Sequence, residues 1–272
     1  MSLHPVFLPH RGIIKISGVD RVPFLQGLIT NDIHKLDNMP VIYACLLSPQ
    51  GRFLFDFFIY NQDDYFLLEC EGDRVSELIK KLSIYKLRSQ VTLEDVSSAY
   101  CVIVGDSIPE LPQDPRLPEL GVRGIVPAGQ CTSGDVTPYT ARRITLGVPE
   151  GGVDLIVDKS IPLENGLDEL NAIDWQKGCY VGQELTSRTK YTGIVRKRLF
   201  PVDIEGPRPA FGEAIDDGGD KVGEMRSSFN NKGLALIRLE AFEKFQETGI
   251  PFQCGESRLK PYNPGWMLIT QK

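Results

Sequence analysis

Residues 174–185 read DWQKGCYVGQEL and place a single cysteine, Cys179, between a lysine, two glycines and a glutamine–glutamate pair. Lys177 lies two residues before the cysteine and favours its thiolate form. A helix beginning in GQELTSRTK would act in the same direction through its N-terminal dipole. Such a thiolate serves as a nucleophile, a redox-sensitive thiol or one ligand of a metal shared with another protein. A buried cysteine that merely fills space is an equally good interpretation of the local pattern.

The other reactive residue types limit the chemistry open to this cysteine. The three histidines, His4, His10 and His34, all lie near the start of the chain, so a cysteine-protease arrangement with a base and an orienting group is not indicated. The sequence has no CxxC, no HxxxH and no Cys/His cluster, and therefore predicts no self-contained zinc or iron–sulfur site. The six cysteines are evenly spread, so a disulfide framework is not expected.

Composition excludes several function classes. The 272 residues carry a formal net charge of −6, which argues against nucleic acid as the main ligand. No apolar run approaches the ~20 residues that cross a bilayer, so no membrane partner is expected. The opening MSLHPVFLPHRGIIKISG lacks the basic-then-apolar pattern of a secretory signal and is too short before the first strand for a transit peptide, which favours a cytoplasmic location.

Hydrophobic periodicity predicts a mixed α and β chain. The apolar runs VIYACLL and RFLFDFFIY, joined by SPQG, are typical of a hairpin. GDRVSELIKKLSIYKLR places Val75, Leu78, Ile79 and Leu82 on one helical face. Prolines at 109, 112, 115 and 118 exclude regular helix or central strand from residues 106–120. TPYTARRITLG predicts a short helix capped by Thr137. From about residue 196, short strands separated by DDGGD and FNNKG favour a small antiparallel barrel or sandwich.

Two features combine charge with an unusual setting. Asp56 interrupts the apolar strand RFLFDFFIY; it is either an edge carboxylate or an anchor for a ligand nitrogen in an apolar pocket. Residues 177–198 carry a net positive charge in a chain whose net charge is negative, because they contain six positive residues and one acidic residue, Glu184. This run is either a solvated face or a dock for a polyanionic tail or an acidic partner. Its positive members are Lys177, Arg188, Lys190, Arg196, Lys197 and Arg198.

The octet KGCYVGQE matches the signature K-G-C-[FY]-x-G-Q-E of the YgfZ family, whose members are folate-binding proteins similar to the glycine-cleavage T protein. RGIIKISGVDRVPFLQGLITND, LLSPQGRFLFDFFIY, YKLRSQVTLED and RRITLGVPEG follow the family's order and spacing. The resemblance covers nearly the whole chain and thins beyond residue 205. It implies an α+β fold: a T-protein-like folate-binding core of two interwoven subdomains over residues 1–195, then an antiparallel β-barrel over residues 196–272.

The resemblance also implies a function, namely assembly or repair of iron–sulfur (4Fe–4S) proteins, with tetrahydrofolate as cofactor. The implied partners are iron–sulfur scaffold or carrier proteins and client enzymes. One exposed cysteine cannot hold a cluster that takes about four protein ligands, so Cys179 would share a cluster with a partner or attack a persulfide on one. Alternatives are a tetrahydrofolate-dependent aminomethyl- or methyltransferase and a plain folate-binding module, for which Cys179 would be dispensable.

Site residues carry over position by position. Cys179 and Lys177 are the implied reactive pair, at the rim of the folate pocket. Asp56 corresponds to the T-protein aspartate that contacts the tetrahydrofolate nitrogens. Where the T protein has a pterin-reading glutamate, this chain has Thr145. The other predicted pocket residues are Tyr139, Arg143 and Arg188, and the other motif residues are Gly178, Tyr180, Gly182, Gln183 and Glu184.

Overall fold

The computed structural model describes residues 3–131, 134–193 and 195–269. Its strands are β1 Val6–Phe7, β2 Arg11–Ser17, β3 Val41–Leu47, β4 Phe53–Gln62, β5 Tyr65–Glu71, β6 Thr92–Asp95, β7 Tyr100–Gly105, β8 Val122–Pro127, β9 Lys197–Glu205, β10 Ala214–Asp217, β11 Asp220–Phe229, β12 Lys232–Arg238, β13 Phe252–Cys254 and β14 Ser257–Pro261. Its α-helices are α1 Arg21–Gln26, α2 Val75–Lys86, α3 Thr137–Thr145, α4 Gln183–Thr192 and α5 Leu239–Thr248. Short 3-10 helices lie at Ile33–Asp37, Gly72–Arg74, Pro118–Leu120, Ala128–Gln130 and Pro162–Asn165.

A five-stranded sheet of order β3-β4-β5-β2-β6 forms the centre of the N-terminal part. The predicted hairpin is confirmed, since β3 and β4 pair antiparallel with Cys45 opposite Asp56. Both faces of β3 are buried. Ile42, Ala44 and Leu46 belong to one core cluster, and the residues between them belong to another. This two-residue alternation is the strand period acting on a sheet that is covered on both sides.

Different layers cover the two faces of this sheet. On one face α2 buries Val75, Leu78 and Leu82, the helical face that the sequence predicts. On the other face lies a three-stranded sheet of order β1-β7-β8, together with side chains from α3 and from the segment 155–180. The core cluster on this face, which contains Cys45 and Tyr139, is hereafter the second core. Asp56 lies on the same face of the sheet, because it is paired with Cys45 across β3 and β4.

The C-terminal strands form a closed antiparallel barrel of order β10-β11-β12-β9-β14-β13. Its core includes the stacked rings of Phe200 and Phe242, whose centroids are 4.0 Å apart. Closure removes the exposed strand edges that six short strands would otherwise present. The predicted α+β class with a C-terminal antiparallel barrel is confirmed.

One local prediction is wrong, and one disulfide was not anticipated. Thr137 does not cap α3 but is its first residue, and its backbone N–H donates to Asp135 Oδ1 at 2.9 Å. The cysteines are also not all unpaired: Cys101 on β7 forms a disulfide with Cys131, at a Cα–Cα distance of 6.5 Å. Even spacing along the sequence did not reveal this pair, because the antiparallel pairing of β7 with β8 brings the two segments together.

Across the described ranges no helix has both the length and the apolar character that crossing a membrane requires.

Candidate functional site

The segment that carries Cys179 begins with a turn organised by Asp174. Asp174 Oδ1 accepts hydrogen bonds from the backbone N–H groups of Gln176 at 2.7 Å and Lys177 at 3.0 Å. Its other carboxylate oxygen lies 2.7 Å from Lys35 Nζ. These bonds, with the paired lysine, lower the pKa of Asp174 although partial burial opposes the shift. The aspartate thus fixes the backbone just before the cysteine.

Lys177 is buried, and its ammonium group is directed into the protein. Nζ donates to three backbone carbonyl oxygens, those of Gln26 at 2.8 Å, Ile29 at 2.6 Å and Asn31 at 2.8 Å. Burial lowers the pKa of Lys177 to about 8, so the side chain is still mostly protonated at pH 7. All three N–H donors are therefore engaged at the end of α1. The predicted pairing of Lys177 with a Cys179 thiolate is not the arrangement found; the lysine anchors the segment instead.

Cys179 is exposed and unpaired, whereas Cys45, Cys70 and Cys254 are buried. The next residue, Tyr180, is 7% exposed and packs in the second core, with its ring 5.3 Å from Lys177 Nζ. Cys179 is thus presented to solvent between two buried anchors on its two sides. This geometry excludes the interpretation of Cys179 as a core-filling residue.

The two motif glycines have different roles. Gly182 has φ +83°, and a Cβ on it would lie 2.5 Å from the carbonyl oxygen of Ser48 in the β3–β4 turn. Gly178 is exposed, its φ is not in the left-handed region, and a Cβ on it would meet nothing within 4 Å. Gly182 is therefore required for the close approach of two backbones. Gly178 makes no such approach, and its backbone conformation is open to any residue.

We expect Gly182→Ala to destabilise the protein by about 1–3 kcal/mol, because the left-handed backbone and the clash with Ser48 both penalise a side chain. Gly178→Ala is the matched control and should change the free energy of unfolding by less than about 0.5 kcal/mol. Urea unfolding of both variants measures the difference. Equal stability of the two would contradict the assigned contact.

Helix α4 begins immediately after this contact. The backbone N–H of Gln183 donates to the carbonyl of Tyr180 at 3.2 Å, and Glu184 lies exposed in the first turn, where its charge suits the helix dipole. Thr186 is its buried residue, and its hydroxyl donates to the carbonyl of Gly182 at 2.9 Å. Most of α4, including Arg188, is exposed.

The basic run is partly neutralised within the protein. Lys190 pairs with Asp168 at 2.8 Å, and Arg198 on β9 pairs with Glu169. Together with the buried Lys177, three of the six cations thus have internal partners. Arg188 and Arg196 are exposed and could meet an acidic surface.

Asp56 is 2% exposed and faces the second core. The hydroxyl of Tyr43 donates to its Oδ2 at 2.9 Å, while its Oδ1 is buried with no hydrogen-bond partner in the described structure. A Cβ on Gly151 would lie 1.9 Å from that oxygen and 2.5 Å from Glu71 Oε1. A buried carboxylate oxygen without a donor is costly and is the feature expected of a ligand-binding group.

The other predicted pocket residues belong to buried polar networks. The Tyr139 hydroxyl accepts from Arg116 Nη2 at 3.1 Å and Arg123 Nη1 at 3.3 Å, with the residue 2% exposed. Arg143 Nη1 donates to Asp154 at 2.7 Å, and its Nε lies 3.1 Å from Glu150. These contacts are internal to the protein and do not test whether Tyr139 and Arg143 bind folate. Their assignment to a folate site stays a prediction.

Sequence reasoning missed the residues that surround Asp56. Glu71 ends β5, and its carboxyl group borders Gly151 and Gly152. Glu69, two residues earlier, is buried and paired with both Arg11 and Arg123, which hold its pKa at about 2. Glu69 interrupts the apolar strand YFLLEC and was a usable signal, because a carboxylate in an apolar strand needs a partner or a function; Glu71, at the strand end, was not.

Comparison with known proteins identifies relatives over nearly the full length. Residues 196–268 match the family model described as the CAF17 C-terminal beta-barrel domain. Over 281 residues the chain is 35% identical to "Iron-sulfur cluster assembly factor IBA57, mitochondrial" of Mus musculus, covering 87% of this chain and 78% of that protein. The Homo sapiens protein of the same name is 35% identical over 272 residues, covering 85% and 76%.

A solved structure supports the fold assignment. The glycine cleavage system aminomethyltransferase T from Bartonella henselae superposes with a TM-score of 0.73, covering 96% of this chain and 84% of that chain. Its sequence identity is 13%, so this likeness concerns the fold alone.

The comparisons correct one prediction and identify the family. The relatives are named as mitochondrial, so the cytoplasmic location expected from the opening residues is wrong. With 35% identity over more than three quarters of each relative, the chain belongs to the IBA57 family of iron–sulfur cluster assembly factors.

Proposed function

We propose that this protein assists the assembly of iron–sulfur proteins by supplying the Cys179 thiolate as one ligand of a cluster bridged to a partner protein. The observation that carries the proposal is the exposed, unpaired Cys179 between the buried Lys177 and Tyr180. Anchors on both sides fix the place where the thiol is presented, which is what a partner's docked surface requires.

The site's ligand count supports a shared cluster. Within the described ranges, no group of three or more His, Cys, Asp or Glu residues could hold a metal ion. A cluster takes about four protein ligands, so the remaining ligands must come from an iron–sulfur scaffold or carrier protein.

A deletion experiment tests the proposed function. Removing the gene should lower the activities of several 4Fe–4S enzymes together, while their protein levels stay normal. The opposite pattern, normal 4Fe–4S enzymes and reduced glycine cleavage, would instead indicate an aminomethyltransferase.

We further propose tetrahydrofolate as a ligand, because Asp56 Oδ1 is buried without a donor in the described residues. Titration calorimetry should show tetrahydrofolate binding that is weakened by Asp56→Asn. The one-carbon transferase is the weaker alternative, because the likeness to aminomethyltransferase T is one of fold at 13% identity. It predicts turnover of a methyl or aminomethyl donor that Asp56→Asn abolishes and Cys179→Ala leaves intact.

A further inference from the structure

The carboxyl groups of Asp56 and Glu71 lie side by side beneath Gly151 and Gly152, in the loop that follows α3. The position that a Cβ on Gly151 would take is 1.9 Å from Asp56 Oδ1 and 2.5 Å from Glu71 Oε1. A Cβ on Gly152, whose φ is +70°, would lie 2.2 Å from Glu71 Oε2. Two successive residues without side chains thus cover both carboxyl groups. Any larger residue at either position would displace the loop or the acids.

The surrounding cations compensate the charge of this pair only in part. Arg74 Nη1 lies 3.6 Å from Glu71 Oε1 but also pairs with Glu77 and donates to the carbonyl of Leu54. Arg11 donates to Glu69 through its Nε at 2.8 Å, while its Nη2 is buried without an acceptor and so makes no hydrogen bond to Asp56 or Glu71.

A third acid in the covering loop, Glu150, has partners of its own. It lies 3.1 Å from Arg143 Nε and 2.8 Å from His10 Nε2. Asp56 and Glu71 are therefore the acids at this place whose charge is least compensated. The Asp56 oxygen without a donor, on a residue 2% exposed, is an independent sign that a donor group belongs there.

We propose that Asp56 and Glu71 together form a binding site for the N–H donor edge of a nitrogen heterocycle, which the loop at Gly151–Gly152 covers when the site is empty. The inference rests on the folate-binding part of the proposed function and adds Glu71 to it. A ring edge with adjacent N–H donors, such as the 2-aminopyrimidinone edge of a reduced pterin, matches paired carboxylate acceptors as a guanidinium does.

The site also has a proton to release. Burial first, and then the Asp56 carboxylate, raises the pKa of Glu71 to about 7, so that about half of its molecules are protonated at pH 7. A donor edge binds the ionised form, so ligand binding should expel this proton. In the free protein Glu71 is mostly protonated at pH 6 and mostly ionised at pH 8. Tetrahydrofolate should therefore bind about tenfold more weakly at pH 6 than at pH 8.

Anaerobic titration calorimetry with tetrahydrofolate at pH 6, 7 and 8, in two buffers of different ionisation enthalpy, tests the site. The wild-type protein should show the tenfold pH effect and release about half a proton at pH 7. Glu71→Gln should abolish both effects and weaken binding at pH 8 by at least about tenfold. Glu77→Gln is the matched control: it shares Arg74, is 59% exposed and should bind as the wild type does. Thermal melts confirm that both variants are folded.

The outcomes separate this inference from folate binding itself. If Glu71→Gln binds tetrahydrofolate with the wild-type affinity and proton release, the two-carboxylate site is wrong and folate binding stands. If the wild type binds no tetrahydrofolate, that cofactor is wrong, and 2-amino-4-hydroxypyrimidine, followed by NMR, tests the site directly. Binding of this fragment that disappears in Glu71→Gln keeps the site; no such binding overturns it.

Discussion

Cys179→Ser is expected to abolish the protein's support of 4Fe–4S enzymes while leaving its fold intact. The side chain is exposed and unpaired, so replacing sulfur by oxygen removes no packing and no disulfide. A serine hydroxyl is neither a soft ligand for iron nor a thiolate nucleophile, so the chemistry is lost outright. In cells that lack the native gene, the variant should leave 4Fe–4S enzyme activities at the level of the deletion.

The control variant is Gln176→Ala, an exposed residue of the same segment, which should restore those activities fully. Calorimetry on the purified serine variant should show unchanged tetrahydrofolate binding, because Asp56 lies in the second core and not in this loop. Iodoacetamide should label Cys179 faster than the buried Cys45, Cys70 and Cys254. Full activity of Cys179→Ser would remove the thiol from the mechanism and with it the shared-cluster proposal.

The elements that local pattern determines were predictable from the sequence. The β3–β4 hairpin has its turn chemistry in SPQG, and α2 has its apolar residues at helical spacing. The barrel follows from short strands with glycine-rich turns between them. In each case the periodicity or the turn residues lie within a window of about ten residues, which is the range over which such signals act.

The reactive segment was predictable as a motif but not as a geometry. Lys177 contacts carbonyls of residues 146 to 151 positions earlier in the chain, and no local rule anticipates contacts at that separation. Proximity to Cys179 in sequence therefore indicated the wrong partner for the lysine. The same limit applies to the disulfide, whose two cysteines are 30 residues apart.

Asp56 stood out because it interrupts an apolar strand, whereas Glu71 did not, because strand ends are ordinary places for acids. Their nearness follows from the antiparallel pairing of β4 with β5, whose register sets Phe58 opposite Glu69 and runs on toward Asp56 and Glu71. The loop at Gly151 and Gly152, some 80 residues after Glu71, then covers both carboxyl groups. Neither glycine marks a turn that the sequence makes obvious. Sequence could thus identify one half of the carboxylate pair, and the register of β4 with β5 was needed for the other.

Lys177→Met should cost about 3 kcal/mol or more of unfolding free energy, the largest stability effect expected in the motif. Methionine keeps much of the buried stem but leaves the carbonyls of Gln26, Ile29 and Asn31 without their shared donor. It also removes a positive charge from the end of α1, where the helix dipole favours one. Urea unfolding followed by circular dichroism measures the loss.

Lys190→Met is the matched control, because that lysine is 43% exposed and gives up one ion pair, with the 7% exposed Asp168, instead of three buried hydrogen bonds. It should cost clearly less than Lys177→Met. Because Lys177 fixes the backbone two residues before Cys179, the Lys177 variant should also lose support of 4Fe–4S enzymes under conditions where it is still folded. If it were instead as stable as Lys190→Met and slowed only the alkylation of Cys179, the lysine would act on the thiolate as the sequence predicts. A stability loss without a change in alkylation rate would establish it as an anchor.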